Sequence, residues 1–372
     1  MTYVLFAFFL IIVVGILFSG HYYVYFSIIK FFSIVDQTWK LWLAIILAFL
    51  PLSYIFSTLA AHYINNWFTK AWYYLSGLWL GLGVNLLLFF TLAWIVYALS
   101  VRFHYSINLR ILGVLVISLA IIYSVYGIWN AYLPIIRNVT VKINNLPAEW
   151  QGKRIVQISD IHLGHVWGKA GLEKAVAMIN SVSPELVVIT GDLFDGMDGD
   201  FDFHLESLKK LQSPSGTYFI TGNHETYFGV DRAYDLITKN TNIRILNDEV
   251  VYLNGLKLLG VSYPVRGINK DIVELIRRKL VEREKMPTIL LYHDPASVSE
   301  IATTGVDLML AGHTHDGQIF PIGFITKLVY GGYDFSLKKI GNFYINTTSG
   351  YGTWGPTMRT GNHPEIVVIT LE

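Results

Sequence analysis

Cysteine is absent from the 372 residues. That excludes disulfides, thiolate metal sites and cysteine nucleophiles, so any metal must be held by His, Asp, Glu, Asn or water. Basic blocks are also missing and the net charge is +1, so nothing marks the chain for nucleic acid or another polyanion. Charge itself is scarce in the front third. Before Arg137 the only charged side chains are Lys30, Asp36, Lys40, Lys70, Arg102 and Arg110, whereas beyond it charge is dense. This break predicts a membrane domain over 1–136 and a second domain over 137–372.

The front part holds apolar runs near 3–24, 40–62, 72–99 and 110–132. Each exceeds or approaches the roughly 20 residues that cross a bilayer as a helix. Four such runs in a soluble core would leave almost no polar surface, and the first lacks the basic start of a cleaved signal. Trp39, Trp42, Trp67, Trp72 and Trp129 lie near the run ends, as interfacial belts do. The half-polar "FSIIKFFSIVDQTWK" reads either as an interfacial segment or as an ordinary loop. Lys30, Lys40, Arg102 and Arg110 in the first and third connections place those connections inside and the second domain outside, although Arg137, Lys142, Lys153 and Arg154 argue the reverse. The balance leans to the extracytoplasmic side. Intramembrane charge and evident repeats are lacking, which disfavours a transporter.

From about Asn138 short apolar strands alternate with helical spacing: "RIVQIS", "GLEKAVAMINSV", "LVVIT", "FHLESLKKL", "GTYFIT", "VDRAYDLITKN". "VVYLNGLKLLGV" carries an Asn-Gly hairpin turn, and "DIVELIRRKLVERE" reads as a charged amphipathic helix. "TILLYH", "VDLMLAG", "GNFYINTT" and "EIVVITL" add strands. The pattern predicts a layered α/β domain.

Five strand ends deliver metal-competent groups: Asp160 and His162; Asp192 and Asp195 in "GDLFD"; Asn223, His224 and Glu225 in "GNHE"; His293; and His313 with His315 in "GHTH". Taken singly each has a plainer account, a helix cap or a turn or a satisfied core histidine. Five together point to one site, because the carboxyl ends of strands in an α/β sheet are where sites are built. Carboxylate, imidazole and one amide without sulfur suit Mn, Fe or Zn rather than a calcium cage. Residues i and i+2 of an extended segment lie about 6.6–6.8 Å apart at Cα, and paired metals roughly 3.5–4 Å apart. His313 and His315 can therefore serve one ion each, with Asp192 bridging. Two divalent ions against two carboxylates leave the cluster electropositive, which suits a phosphate group.

As a set, "DIH", "GDLFD", "GNHE", His293 and "GHTH" resemble the five blocks of the calcineurin-like metallophosphoesterases, over about residues 150–372. The "GHTHDGQIFP" extension and the late "SGYGTWGPTMRTGNHPEIVVITL" resemble its membrane-associated phosphodiesterase subgroup. The resemblance implies a two-sheet β-sandwich flanked by helices. It implies two divalent ions, with Mn favoured, one on Asp160, His162, Asp192 and His315 and the other on Asp192, Asn223, His293 and His313. His224 is then the general acid or a phosphate contact, and Asp195 orients a histidine ligand or caps a helix. The expected activity is hydrolysis of a phosphodiester or pyrophosphate by a metal-bridging hydroxide, on a substrate that the membrane domain suggests is lipid-linked. His165 and Arg359 are expected either to contact substrate phosphate or to serve the surface. Asp316, where the subgroup usually has glycine, is read as a turn residue, and His363 as structural. The competing class is a non-catalytic receptor or scaffold carrying a relic domain. A relic should have lost ligands, and none is missing here.

Overall fold

A computed structural model describes residues 2–199, 201–265, 267–280 and 286–372. The chain divides into two compact units, residues 1–129 with 355–360, and residues 130–354 with 361–372.

The first unit is built on four helices, α1 (Thr2–Phe32), α2 (Gln37–Tyr63), α3 (Trp67–Arg102) and α4 (Leu109–Ala131). All four are long and apolar enough to cross a membrane. Their outer faces leave large apolar side chains uncovered, Ile11, Ile16, Leu41 and Ile122 among them, as helices facing lipid do. α1 runs unbroken to Phe32 and α2 starts at Gln37, so the half-polar stretch 26–40 is divided between the end of one helix, a connection over 33–36 and the start of the next. The helix starts are capped: Asp36 accepts from the amide of Trp39, and Asn66 from that of Thr69. Tryptophans, Trp72 of the expected interfacial belt among them, join helices to one another. Trp72 Nε1 donates to Ser53 Oγ at 2.8 Å, Trp79 Nε1 to His21 Nε2 at 3.0 Å, and Trp94 Nε1 to Ser27 Oγ at 2.9 Å. Asn85 donates to Ser124 at 2.8 Å. Apolar packing between helices gains little where lipid is equally apolar, so such bonds set their register. Within this unit the segment 355–360 is held by Tyr123, whose hydroxyl donates to the Thr360 carbonyl, and by the Gly127 carbonyl, which accepts from the Arg359 amide.

Among its described residues the second unit holds twelve strands in two six-stranded sheets. The first sheet contains β1 (Ile135–Val141), β2 (Arg154–Ile158), β3 (Leu186–Thr190), β4 (Thr217–Ile220), β5 (Arg244–Ile245) and β12 (Glu365–Leu371). Its order is β1-β12-β2-β3-β4-β5. The second contains β6 (Glu249–Leu253), β7 (Leu256–Gly260), β8 (Thr288–Leu291), β9 (Leu308–Ala311), β10 (Ser336–Ile340) and β11 (Phe343–Thr347). Its order is β10-β11-β9-β8-β7-β6. The centre of each sheet is parallel: β2 with β3 and β4, and β7 with β8 and β9. Parallel strands are covered on both faces and therefore read as unbroken apolar runs. Alternate residues serve different layers. Ile155, Leu186 and Val188 meet Leu258, Ile289 and Leu310 between the sheets. Val156, Val187 and Ile189 face α5 (Lys169–Ser181) and α8 (Val230–Asn240) on the outer side. Leu259, Leu290 and Met309 do the same beneath α9 (Ile272–Lys279) and α10 (Val298–Ile301). The result is a two-sheet α/β sandwich with helices on both outer faces.

The remaining helices are short: α6 (Phe201–Leu205), α7 (Asn223–Phe228) and α11 (Gly323–Val329). The helical spacing over 203–211 resolves into α6 followed by a 3₁₀ turn over Glu206–Lys210. The end of the charged amphipathic helix, residues 281–284, lies outside the described residues, and α9 is described to Lys279. Asn254 and Gly255 form the hairpin turn, both at positive φ, 46° and 81°.

Candidate metal centre

The carboxyl ends of β2, β3, β4, β8 and β9 bring the predicted residues together. Asp160, His162 and His315 form one group of potential ligand atoms, and Asp192, His293 and His313 another. A third, His162, Asp192 and His224, overlaps both. Within each group the atoms lie within 4.8 Å of one another. All are buried except His313, which is partly exposed.

Distances inside the cluster suit a cation. His162 Nε2 and His315 Nε2 face each other at 3.0 Å, and Asp160 Oδ1 lies 3.5 Å from His315 Nε2. On the other side His293 Nε2 is 3.1 Å from Asp192 Oδ2 and 3.2 Å from Asn223 Oδ1. The ring nitrogens turned away from these contacts face acceptors, one in a hydrogen bond and the other at ion-pair distance. His293 Nδ1 donates to the Thr190 carbonyl at 2.7 Å, and the Asp195 carboxylate sits 3.2 Å from His162 Nδ1. Such partners hold the Nε2 lone pair toward a metal. Asp195 thus stands where a group orienting a histidine would stand. His224 Nδ1 donates to the Asp195 carbonyl at 2.9 Å, and its backbone amide donates to Asp192 Oδ1 at 2.8 Å.

Electrostatics point the same way. Burial disfavours an imidazolium at His293, yet the Asp192 and Asp160 carboxylates push its pKa up to about 10. Burial and the neighbouring His293 push His313 down to about 4. Burial raises Asp160, whereas Asp192, despite its own burial, is held well below the carboxylate range by His293 and His224. Burial lowers His224. The cluster is an electronegative cradle that takes up positive charge on a nitrogen placed between carboxylates. The donor set, the mutual approach of the two Nε2 atoms and this field all fit divalent ions bound by nitrogen and oxygen.

The backbone is strained at the same residues. Asp160, His162, Asp192, His313 and His315 all have φ between 50° and 73°. Left-handed non-glycine residues cost of order 1 kcal/mol or more each and persist only where surrounding structure enforces them. Here the Asp160 amide donates to the Gly191 carbonyl, the His162 amide to the Asp192 carbonyl, and the Gly352 amide to the Asp160 carbonyl. Buried Glu225 ties two strand ends together. It accepts from the amides of Gly222 at 2.7 Å, Asp192 at 2.9 Å and Phe194 at 3.1 Å. Two glycines are required by close approach. A Cβ on Gly222 would collide with Asp192 Oδ1, and one on Gly312 with Asp160 Oδ2.

Other expected residues fall elsewhere. Arg359 is fully buried in the segment that groups with the helical unit and does not join the ligand cluster. His165 is half-buried in the loop after β2 and belongs to none of the ligand groups. Asp316 sits at a left-handed turn, φ 49°, with its amide on Thr314 Oγ1. His363 is exposed, and its carbonyl accepts from Ser349. Sequence reasoning missed an aromatic rim. The rings of Tyr227 and Trp354 lie 5.3 and 6.0 Å from that of His224. The ring of Tyr263 lies 6.1 Å from His293, and that of Tyr330 6.2 Å from His313. Tyr263 follows β7 at the same sheet edge, and a search of strand ends for aromatic as well as ligand residues would have found it.

A model of the calcineurin-like phosphoesterases matches residues 153–317. An uncharacterized metallophosphoesterase of Campylobacter jejuni is 30% identical over 388 aligned positions, covering 100% of this chain and 99% of the relative. An uncharacterized metallophosphoesterase of Aquifex aeolicus is 30% identical over 68% of this chain and 98% of its own length. A zebrafish (Danio rerio) protein named as a transmembrane protein with metallophosphoesterase domain is 29% identical, over 70% of this chain and 62% of its own.

Proposed function

The chain belongs to the calcineurin-like metallophosphoesterases, and from that premise we propose that it is a membrane-anchored, dinuclear-metal phosphoesterase that hydrolyses a phosphodiester or pyrophosphate bond. Residues 1–136 are the anchor and 137–372 the catalytic domain; the charge of the first and third helix connections leans it to the extracytoplasmic side, against the basic residues that follow the last helix. The observation that carries the reading is the pair of ligand groups that share Asp192, one with His162 and His224 and the other with His293 and His313, all buried but the partly exposed His313. Asp160, His162, Asp192 and His315 hold one ion, and Asp192, Asn223, His293 and His313 the other, with manganese favoured. Two such ions, when bound, neutralise phosphate oxygens and make a water acidic enough to attack near neutral pH.

The chain's own side chains supply the rest. His224, fixed through Nδ1 on the Asp195 carbonyl, keeps Nε2 for a proton given to the leaving oxygen. Burial keeps this imidazole neutral, so it gains its proton as the phosphate brings negative charge. Asp195 holds the His162 ring. A lipid-linked phosphodiester is the substrate class favoured by the anchor.

The test uses the full chain in detergent, with bis-p-nitrophenyl phosphate and Mn. Turnover should require the metal. His224→Ala should keep both metal equivalents while kcat falls about 10²–10⁴-fold. Asn223→Ala should lose metal occupancy as well as rate. Metal-independent turnover, or variants indistinguishable from the parent, would refute the proposal.

A further inference from the structure

Among the described strands and helices of the second unit, α11 has the surface hardest to reconcile with water. Phe324, Ile325, Leu328 and Val329 are 68, 61, 83 and 68% exposed, and no residue of the helix is buried. Positions i, i+1, i+4 and i+5 share one side of a helix, so the four side chains form one stripe. The opposite side is tied down: Thr326 Oγ1 lies 3.1 Å from Asp334 Oδ2 and donates to the Gly323 carbonyl at 3.0 Å. The helix therefore presents its apolar stripe as a held surface. Among the described residues of this unit beyond Ile135, the other large exposed apolar side chains of strands and helices, such as Phe203, Tyr227 and Tyr252, are single. Single exposures are ordinary, whereas a contiguous patch marks a binding face.

We infer that α11 is a lipid-binding element that inserts its Phe324, Ile325, Leu328 and Val329 stripe into the interfacial layer of a bilayer. The occupant is argued from three features. The chain carries four helices able to cross a membrane, so a bilayer is its permanent neighbour. Charge on the helix is limited to Lys327, and exposed Lys338 stands on the adjoining β10. Basic groups beside an apolar stripe complement anionic headgroups. A groove of about 290 Å³ beside the helix is lined by Phe320, Phe324 and Phe335 together with Lys327, Lys338 and the carboxylates of Asp316 and Asp334, a mix of apolar and charged groups that suits an amphiphile at a headgroup boundary. Directly after α11 comes Tyr330, with its ring 6.2 Å from His313. A lipid held at α11 thus lies at the rim of the metal centre. That last step rests on the phosphoesterase reading; the membrane contact itself does not.

The absence of cysteine makes the test direct. Leu328→Cys, at a highly exposed position, is labelled with bimane in the full chain. The protein is reconstituted in vesicles of phosphatidylcholine and phosphatidylglycerol, three to one. Lys209→Cys, an exposed polar site in the same unit, is the control. Lipid-borne doxyl quencher should reduce emission at 328 several-fold more than at 209, and aqueous iodide should do the reverse. Equal iodide quenching at both sites would overturn the proposal. So would excimer emission from pyrene at 328, since that would put a second copy of the chain on the stripe. Bound metal is measured in the same samples, so loss of the metal centre is separated from loss of the lipid contact.

Discussion

Glu225→Gln probes how the centre is held. The Glu225 carboxylate accepts three backbone donors, Gly222 and Asp192 on Oε2 and Phe194 on Oε1. An amide of the same shape offers one oxygen and one NH₂. With the oxygen on the first two donors, the NH₂ meets the Phe194 amide donor to donor. One stranded buried N–H costs about 1–3 kcal/mol. For a domain of this size that lowers the melting temperature by roughly 2–4 °C per kcal/mol, so about 5 °C. A second effect opposes the first. Burial, and then the charge of Asp192, push Glu225 up to about 7, so removing its charge relieves repulsion. Because the unfolded carboxyl keeps its ordinary value, that penalty is present throughout neutral pH, and its relief offsets part or all of the lost bond in the chelated protein, so metal affinity is the decisive readout. Metal binding should suffer further, because Glu225 fixes the backbone of Asp192 and the start of α7, where Asn223 and His224 lie. Groups that orient ligands typically account for about 10–100-fold in affinity. The assay is intrinsic-fluorescence melting of the full chain in detergent, chelated and Mn-loaded, with calorimetric Mn titration. Unchanged Mn affinity would refute the reasoning.

Further outcomes follow from the same geometry. Gly312→Ala should cut metal occupancy, read by elemental analysis, because its methyl collides with Asp160 Oδ2; full occupancy would contradict the close-approach argument. Arg137→Leu removes the two hydrogen bonds, at 2.7 and 2.9 Å, that neutralise the nearly inaccessible Glu365. A stranded buried charge costs about 3–5 kcal/mol, so melting should fall by roughly 10 °C, and a fall below 3 °C would show that Thr348 and Ser349 suffice as donors. Chelated protein should lose stability as pH rises from about 6.5 toward 10. His293, raised to about 10, is a proton-bound partner of Asp192 in the fold and an ordinary imidazole when unfolded, so its contribution disappears through that window. Saturating Mn should reverse the slope, since ligand deprotonation favours metal. Melting measured from pH 6 to 10 with and without Mn decides the matter.

The parts of the site that sequence reasoning reached are those that a simple rule places. Strands buried on both faces are unbroken apolar runs, so their ends are visible in the sequence, and in a parallel sheet those ends converge. Asp160, Asp192, Asn223, His293 and His313 follow from that rule alone. Residues set by neighbours distant in sequence do not. The left-handed backbone of five cluster residues arises from bonds between loops, such as the Gly352 amide on the Asp160 carbonyl, and no local propensity for Asp or His predicts it. Edge strands β1 and β10 mix lysine, arginine and threonine with apolar residues, because each lies at the end of its sheet, and so they carry a weak pattern. Arg359 shows the limit most clearly. Expected either to contact phosphate or to serve the surface, it is fully buried, which overturns the surface reading, in a segment whose backbone Gly127 and Tyr123 hold. Nothing local tells a loop that lines a site from one that packs among helices more than two hundred residues earlier in the chain. α11 went unread for the opposite reason. "GFITKLV" resembles a core segment by composition, and only its exposure reveals that the apolar partner it calls for lies outside the described fold, which is the reason to look for that partner in lipid.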